Sequence, residues 1–411
     1  MTTTIHILLW ALAVIIAAPL WVLSLQCLLG FLPARRRTES GAYTPSLAVL
    51  IPAHNEEGVI AVTLGSLKAA LPGSGRIVVI ADNCTDRTAD IARGHGVTVL
   101  ERTDTANRGK GFALAAGLAS LENAPPDIVI VVDADCTVAR NSLTELAQTA
   151  RATRRPVQGV YLLRAPDTRD AKAVISAFAF MVKNQARPRG MDRLGLPVPL
   201  TGSGMAFPYD LLRHANLATG NIVEDLALGL ELAEQGHGPV LCDTARISGA
   251  LPGAGDAAVT QRTRWEHGYL STLLGTAPKL FVKGLFTFRM TLIAAAIDLA
   301  VPPLSLLVTG AIAALAASLV IGWWVTAFGP AMLLAASLIL AAVVLVISWA
   351  VYARRWLAFS AFLAIPGYIL WKLPIYLKFL TGRERSWVRT ERDAAAAGKP
   401  PGHAGDGTSG G

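Results

Sequence analysis

Charge is scarce in this chain. Only 16% of its 411 residues are Asp, Glu, Lys or Arg, 53% are hydrophobic, and the mean hydropathy is +0.46. Soluble domains carry about 25% charged residues, so a wholly soluble globule is excluded. The basic excess, formally +8, forms no continuous stripe, which argues against a nucleic-acid partner. Cysteine is scarce too. Cys27, Cys84, Cys136 and Cys242 lie far apart with no CxxC pair, so neither a disulfide framework nor a zinc site is expected. The GxxxxGK[ST] phosphate loop is missing. Ser203 stands in Gly-Ser-Gly, but position 201 is Thr, so the Gly-x-Ser-x-Gly elbow of a serine hydrolase is missing as well. There is no heptad run and no internal repeat of the kind a transporter would show.

Apolar length is abundant, and it is concentrated at the two ends. Residues 5–32 are almost continuously apolar and run into Pro33 and the Arg35, Arg36, Arg37 cluster. That is too long for a signal-peptide core and lacks a basic leader, so a membrane span of roughly 20 or more residues is expected. The basic flank keeps the following chain in the cytosol. Residues 279–290 mix Lys and Arg with Leu, Phe and Val, as an interfacial amphipathic helix does. Stretches 291–321, 331–352 and 356–380 read as three further spans, the first kinked at Pro302 and Pro303, the last interrupted by Pro366, Lys372, Pro374 and Lys378. Trp323, Trp324, Trp349, Trp356 and Trp371 near segment ends suit interfacial aromatics. Four spans put the C-terminus outside, whereas Arg383, Arg385, Arg389 and Arg392 favour the inside. The Ala, Gly and Pro tail from residue 394 reads as disordered. The expected division is a membrane segment at 1–33, a cytosolic domain at 46–275, the interfacial helix at 276–290, a membrane region at 291–380 and a basic then disordered tail at 381–411. The protein is expected in the inner (cell) membrane, with membrane lipids as partners.

Between the apolar ends the pattern changes to an α/β alternation. Apolar runs at 47–51, 77–80, 97–100 and 128–132 suit buried parallel strands, and helical stretches at 57–70, 85–93 and 109–121 separate them. This is the signature of βαβ units and a mostly parallel sheet. Further helices are expected at 171–186, 224–235 and 260–274, and a short strand at 205–207 behind the loop Thr201-Gly202-Ser203-Gly204. Ligands of such sheets bind at the carboxyl ends of the strands. Asp82 follows the second strand, and Asp133 and Asp135 follow the fourth, so all three are expected at one crevice.

Each candidate group has a bland alternative. Around Asn55, Glu56 and Glu57 the acids can complement a helix dipole; the functional reading is contact with a nucleotide. Thr85 and Asp86 suit helix capping, whereas Asp82 can accept from a base or ribose. Lys110, in Asn107-Arg108-Gly109-Lys110-Gly111 at a helix start, suits a diphosphate or a solvated turn. Asp133-Ala134-Asp135 is the strongest signal. Two carboxylates at the exit of an apolar strand are costly without a cation, and Asp-x-Asp presents both on one face, as Mg2+ or Mn2+ requires. Glu224-Asp225 can cap a helix, or Asp225 can act as general base. Gln261-Arg262-Thr263-Arg264-Trp265 can be an interfacial pair, or Arg264 can face a diphosphate and Trp265 a sugar ring. His267 reads as a surface or interface residue.

In this order, Pro52-Ala53-His54-Asn55-Glu56, Asp82, Asp133-Ala134-Asp135, Glu224-Asp225 and Gln261-x-x-Arg264-Trp265 identify a resemblance. The chain resembles the membrane-embedded family 2 glycosyltransferases, which include cellulose, chitin-oligomer, hyaluronan and poly-N-acetylglucosamine synthases and ceramide glucosyltransferases. The resemblance implies a GT-A fold, a UDP-sugar donor, Mg2+ or Mn2+, and inversion at the sugar. It implies Asp225 as general base, and donor contacts from Asn55, Glu57, Asp82, Lys110, Asp133 and Arg264. Acceptor contacts would come from Gln261 and Trp265, and metal contacts from Asp133 and Asp135. One departure is Asp82-Asn83-Cys84-Thr85-Asp86 where Asp-Asp-Gly-Ser-Thr is commoner. The implied function is hexosyl transfer to a growing polysaccharide, as in exopolysaccharide synthesis. The alternative is single addition to a membrane lipid such as a ceramide, a hopanoid or a polyprenyl phosphate.

Overall fold

Short apolar runs rich in Val, Ile and Leu form the first strands. In a computed structural model, which describes residues 2–33, 45–73, 75–219, 223–251 and 256–382, these are β1 (Leu47–Ala53), β2 (Gly75–Asp82), β3 (Thr98–Arg102) and β4 (Ile128–Val131). They pair in parallel in the order β3-β2-β1-β4. Both faces are covered, which is why β1 and β4 have no alternation of polar residues. The helix Ile60–Ala70 packs Ile60, Leu64 and Leu67 on one face, and the helix Lys110–Ala119 packs Ala113, Leu114 and Leu118 on the other.

The sheet then changes character. β5 (Thr137–Val138), β6 (Val157–Arg164), β7 (Met205–Pro208) and β8 (Val240–Ala250) extend it to eight strands, ordered β3-β2-β1-β4-β7-β6-β8-β5. The pairings of β7 with β4 and β6, and of β5 with β8, are antiparallel. The pairing of β6 with β8 is parallel, so the sheet is mixed, with parallel pairings in both halves and the antiparallel ones confined to the second. β6 and β8 escape a reading by apolar runs because Gln158, Asp243, Thr244 and Arg246 interrupt them. β8 also slips register against β6 at Gly159 and Val160.

Among the described residues, four helices are long and apolar enough to cross a membrane: Thr3–Gly30, Leu304–Val325, Gly329–Ala353 and Phe359–Thr381. Stretch 291–321 is not one kinked helix. A ten-residue helix, Met290–Leu299, ends before Pro302, and Pro303 precedes the next helix. Tandem prolines remove two backbone donors and disfavour helix in the residue before them, so the chain breaks. A single 31-residue helix, Asp256–Phe286, runs from the α/β domain through Pro278 and joins the expected helix at 260–274 to most of the one expected at 279–290. At its end Phe286, Phe288 and Met290 are exposed. Lys283 binds Glu234, and Arg289 donates to the carbonyls of Glu234 and Ala233 at 2.6 and 2.9 Å, so these cations cap the helix Glu224–Glu234. The basic clusters at 35–37 and 383–392 and the tail from 394 lie outside the described residues.

The N-terminal helix is packed into the protein. Trp21 Nε1 donates to Ser337 Oγ at 2.9 Å. Gln26 and Arg187 both bond Asp298, at 2.9 and 2.6 Å, and Arg187 Nε donates to Gln26 Oε1 at 2.7 Å. The backbones approach so closely that a Cβ at Gly190 would lie 1.8 Å from the Gln26 carbonyl oxygen. The expected helix at 171–186 has three parts: Ala171–Met181, a π-helical turn Val182–Ala186, and Arg187–Arg193. Pro188 has no N–H to continue the α pattern, which favours the wider turn before it.

Candidate active site

The carboxyl ends of β1, β2 and β4 open on one cavity of about 770 Å³. At the end of β1, Asn55 takes a left-handed φ of 55° and laces two loops together. Its Oδ1 accepts from Thr85 N at 2.7 Å, while Glu57 Oε2 accepts from Arg87 N at 3.2 Å. At the end of β2, Asp82 is buried. Its Oδ1 accepts from Arg102 at 2.6 Å and from Asn83 Nδ2 at 3.0 Å, and its backbone oxygen accepts from His54 Nδ1 at 2.7 Å. Arg102 has a sequence signal only in hindsight: it is the register partner of Asp82 across the β2–β3 pair.

The Asp133–Asp135 turn is clamped by its backbone. Asp133 N donates to Ser203 Oγ at 3.1 Å, and Thr63 Oγ1 donates to the Ala134 oxygen at 2.7 Å. Buried Gln158 accepts from Thr201 N and donates to the Ser203 oxygen, both at 2.9 Å, fixing the loop opposite. Ser203 is thus a backbone anchor, and nothing in its sequence context marked it or Gln158 as such.

Lys110 bridges the acids. Its Nζ lies 2.5 Å from Asp133 Oδ1, 2.6 Å from the Gly202 oxygen and 4.0 Å from Glu224 Oε1. Gly202, at φ +93°, leaves room between them. A Cβ there would lie 3.2 Å from Asp225 Oδ2, 3.5 Å from Lys110 Nζ and 3.8 Å from Asp133 Oδ2. Burial raises the Asp133 carboxyl above its ordinary value, Lys110 opposes this, and Asp135 and Asp225 add to it. Burial likewise pushes Glu224 up to about 7, with Lys110 opposing and Asp225 adding.

The site fits a hard divalent cation. Asp133, Asp135 and Cys136 can each offer a ligand atom within 4.8 Å of the others. Burial pushes the Cys136 thiol well above its ordinary value, and the two carboxylates offer the hard oxygen atoms that such a cation takes. The Lys110 ammonium on Asp133 shows that positive charge is accommodated there.

The opposite wall is the helix Asp256–Phe286. Gln261, Arg264 and Trp265, at i, i+3 and i+4, all line the cavity. Gln261 is buried, and its Oε1 has no hydrogen-bond partner among the described residues. Trp265 is half-buried with its ring centroid 6.2 Å from that of Phe180. His267 is not on the surface: it is fully buried, its Nε2 lies 2.9 Å from the Ile375 oxygen, and its ring meets Phe379 edge-on. Asn55, Glu57, Asp82, Lys110, Asp133, Asp135 and Asp225 share the same cavity. The cavity continues past Tyr269 to Leu299, Val301, Pro302 and Leu304, among the apolar helices.

Comparison with known proteins gives the family and the fold. The family model described as "Glycosyltransferase like family 2" matches residues 45–268. A stretch of 110 residues, 26% of this chain, is 38% identical to the low-salt glycan biosynthesis hexosyltransferase of Haloferax volcanii, but spans only 25% of that protein. An uncharacterized glycosyltransferase of Mycobacterium tuberculosis is 26% identical over 227 residues, 51% of this chain and 93% of that protein. The solved structure of a mannosyltransferase from Pyrobaculum calidifontis in complex with GDP-Man and Mn2+ covers 92% of this chain and 100% of its own, with a TM-score of 0.56 and 20% identity. That likeness is one of fold.

Proposed function

The chain belongs to glycosyltransferase-like family 2, and on that premise we propose that it moves a hexosyl group, with inversion, from a nucleotide diphosphate-sugar to an acceptor held in the membrane. One observation carries this reading: Asp82, Asp133, Asp135, Asp225, Gln261, Arg264 and Trp265 line one cavity that continues among apolar helices.

Asp82, oriented by Arg102, accepts hydrogen bonds from the base or ribose of the donor. Lys110 and Arg264 face its diphosphate. Asp133 and Asp135 would hold Mg2+ or Mn2+, which when bound offsets the charge building on the leaving group. Asp225 takes the proton of the acceptor hydroxyl while that oxygen attacks the anomeric carbon opposite the diphosphate. The new C–O bond forms as the bond to phosphate breaks, and the configuration inverts. Trp265 offers a flat face to a sugar ring, and the unsatisfied Gln261 Oε1 suits a hydroxyl donor.

The resemblance implies UDP as the carrier, whereas the Pyrobaculum relative was solved with GDP-Man and Mn2+. Of the two acceptors, a membrane lipid is favoured, because the cavity ends beside Leu299, Val301 and Leu304. A growing polysaccharide is the second reading, supported by Trp265 and Gln261 on the wall. In this reading the four apolar helices hold the protein in the cell membrane with the α/β domain in the cytosol. The test supplies membranes carrying the protein with radiolabelled UDP- and GDP-sugars and Mg2+ or Mn2+. Label extracted into organic solvent supports the lipid acceptor, and a ladder on a gel supports the polymer. No nucleotide release with any donor would end the reading.

A further inference from the structure

Within the cavity, one cation has no partner in the machinery just described. Lys183 lies on the π-helical turn Val182–Ala186, and its side chain is exposed to the cavity. Among the described residues it has no hydrogen-bond or ion-pair partner. Its amine stands 5.0 Å from the centre of the Tyr269 ring. The carboxylates near it are each engaged elsewhere. Glu266 pairs with Lys372, Asp298 pairs with Arg187, and Asp225 lies in the field of Lys110. Lys183 is therefore surplus positive charge in a low-dielectric chamber. Burial pulls its amine below the ordinary value, and Asp225 and then Glu266 offset part of that pull. An ammonium in this position gains most from an anion that enters with the ligand.

Its position narrows the choice of ligand. Lys183 is felt electrostatically by Asp225 on the catalytic side. On the other side Tyr269 donates to the Val301 oxygen at 2.9 Å, at the break before Pro302. The charge thus stands where the polar chamber meets the apolar helices. We propose that Lys183 forms an acceptor subsite for a phosphate-bearing lipid, its phosphate on the Lys183 ammonium, its hydroxyl toward Asp225 and its acyl chains along Val301, Pro302 and Leu304. This rests on the transferase reading of the same cavity and names its acceptor class.

The test titrates the detergent-solubilised full chain with dioctanoyl phosphatidylglycerol, dioctanoylglycerol and inorganic phosphate, following thermal shift. The wild type should bind the phospholipid more tightly than the neutral lipid. Lys183→Met should weaken the phospholipid about tenfold or more. Lys183→Arg should retain it, and Lys183→Met should still bind nucleotide diphosphate with Mn2+. Equal phospholipid affinity in wild type and K183M, or no preference over the neutral lipid, overturns the proposal. So does inorganic phosphate that matches the phospholipid, or a K183M defect that falls on the nucleotide instead. A wild type that ignores every nucleotide diphosphate tested with Mn2+ would instead remove the transferase reading, a separate result.

Discussion

Lys372, within the last apolar helix, makes an ion pair with Glu266, the residue directly after Trp265. Both are buried, Tyr376 donates to the other carboxylate oxygen at 3.3 Å, and Ser305 bonds Tyr376 at 2.6 Å. The pair ties the apolar helix Phe359–Thr381 to the helix that carries Gln261, Arg264 and Trp265. Lys372 is therefore an internal tether, although its sequence position suggests an interruption in a span. Lys372→Met should leave a buried carboxylate without its cation and cost about 3–5 kcal/mol. The double change with Glu266→Gln should recover much of that loss in thermal midpoint, and a double mutant no better than K372M would refute the tether.

Asp225 stands beside Gly202, facing Lys110 and Asp133. Asp225→Asn keeps the shape and removes the proposed base, so transfer should fall about 10²–10⁴-fold. Nucleotide diphosphate should still bind by calorimetry. Full turnover in D225N would take the residue out of the mechanism.

In the proposed mechanism Asp133 and Asp135 hold the cation, so Asp135→Asn should abolish the Mn2+ dependence of nucleotide binding without unfolding the sheet. EDTA should do the same to the wild type, reversibly on adding Mn2+. Nucleotide affinity indifferent to both treatments would argue against a metal there.

Glu224 is pushed up to about 7 from an ordinary 4.5, so the folded state keeps a proton that the unfolded chain releases. The stability from that proton is complete below about 4.5 and is lost as pH rises through about 7. In chelator the thermal midpoint should decline across that window, and Glu224→Gln should flatten the decline. A profile that E224Q leaves untouched would show that Glu224 does not titrate there.

Gly190 meets the backbone of the first apolar helix, so Gly190→Ala forces a Cβ against the Gln26 carbonyl. Overpacking of this kind costs about 1–3 kcal/mol. The lowered thermal midpoint should come with faster proteolysis between the first helix and the α/β domain. Wild-type stability would mean that the two helices are not in close contact.

The sequence by itself determined the strand-end carboxylates and the apolar helices. Asp82, Asp133 and Asp135 follow apolar runs, and a parallel sheet brings its carboxyl ends to one edge whatever the details of packing. Hydropathy finds the long apolar helices for the same reason: it depends on local composition alone. The tertiary structure decided which charges meet. Gln26 bonds Asp298 across 272 residues, Arg187 reaches Gln26 across 161, and Glu266 finds Lys372 across 106. Such pairs leave no periodic trace, because helix packing selects them and spacing along the chain does not. The second half of the sheet was hidden likewise, since β6 and β8 mix polar with apolar residues and owe their place to their neighbours. Lys183 looks like any surface lysine in the chain, and only the turn before Pro188 and the ring of Tyr269 bring its charge to the cavity.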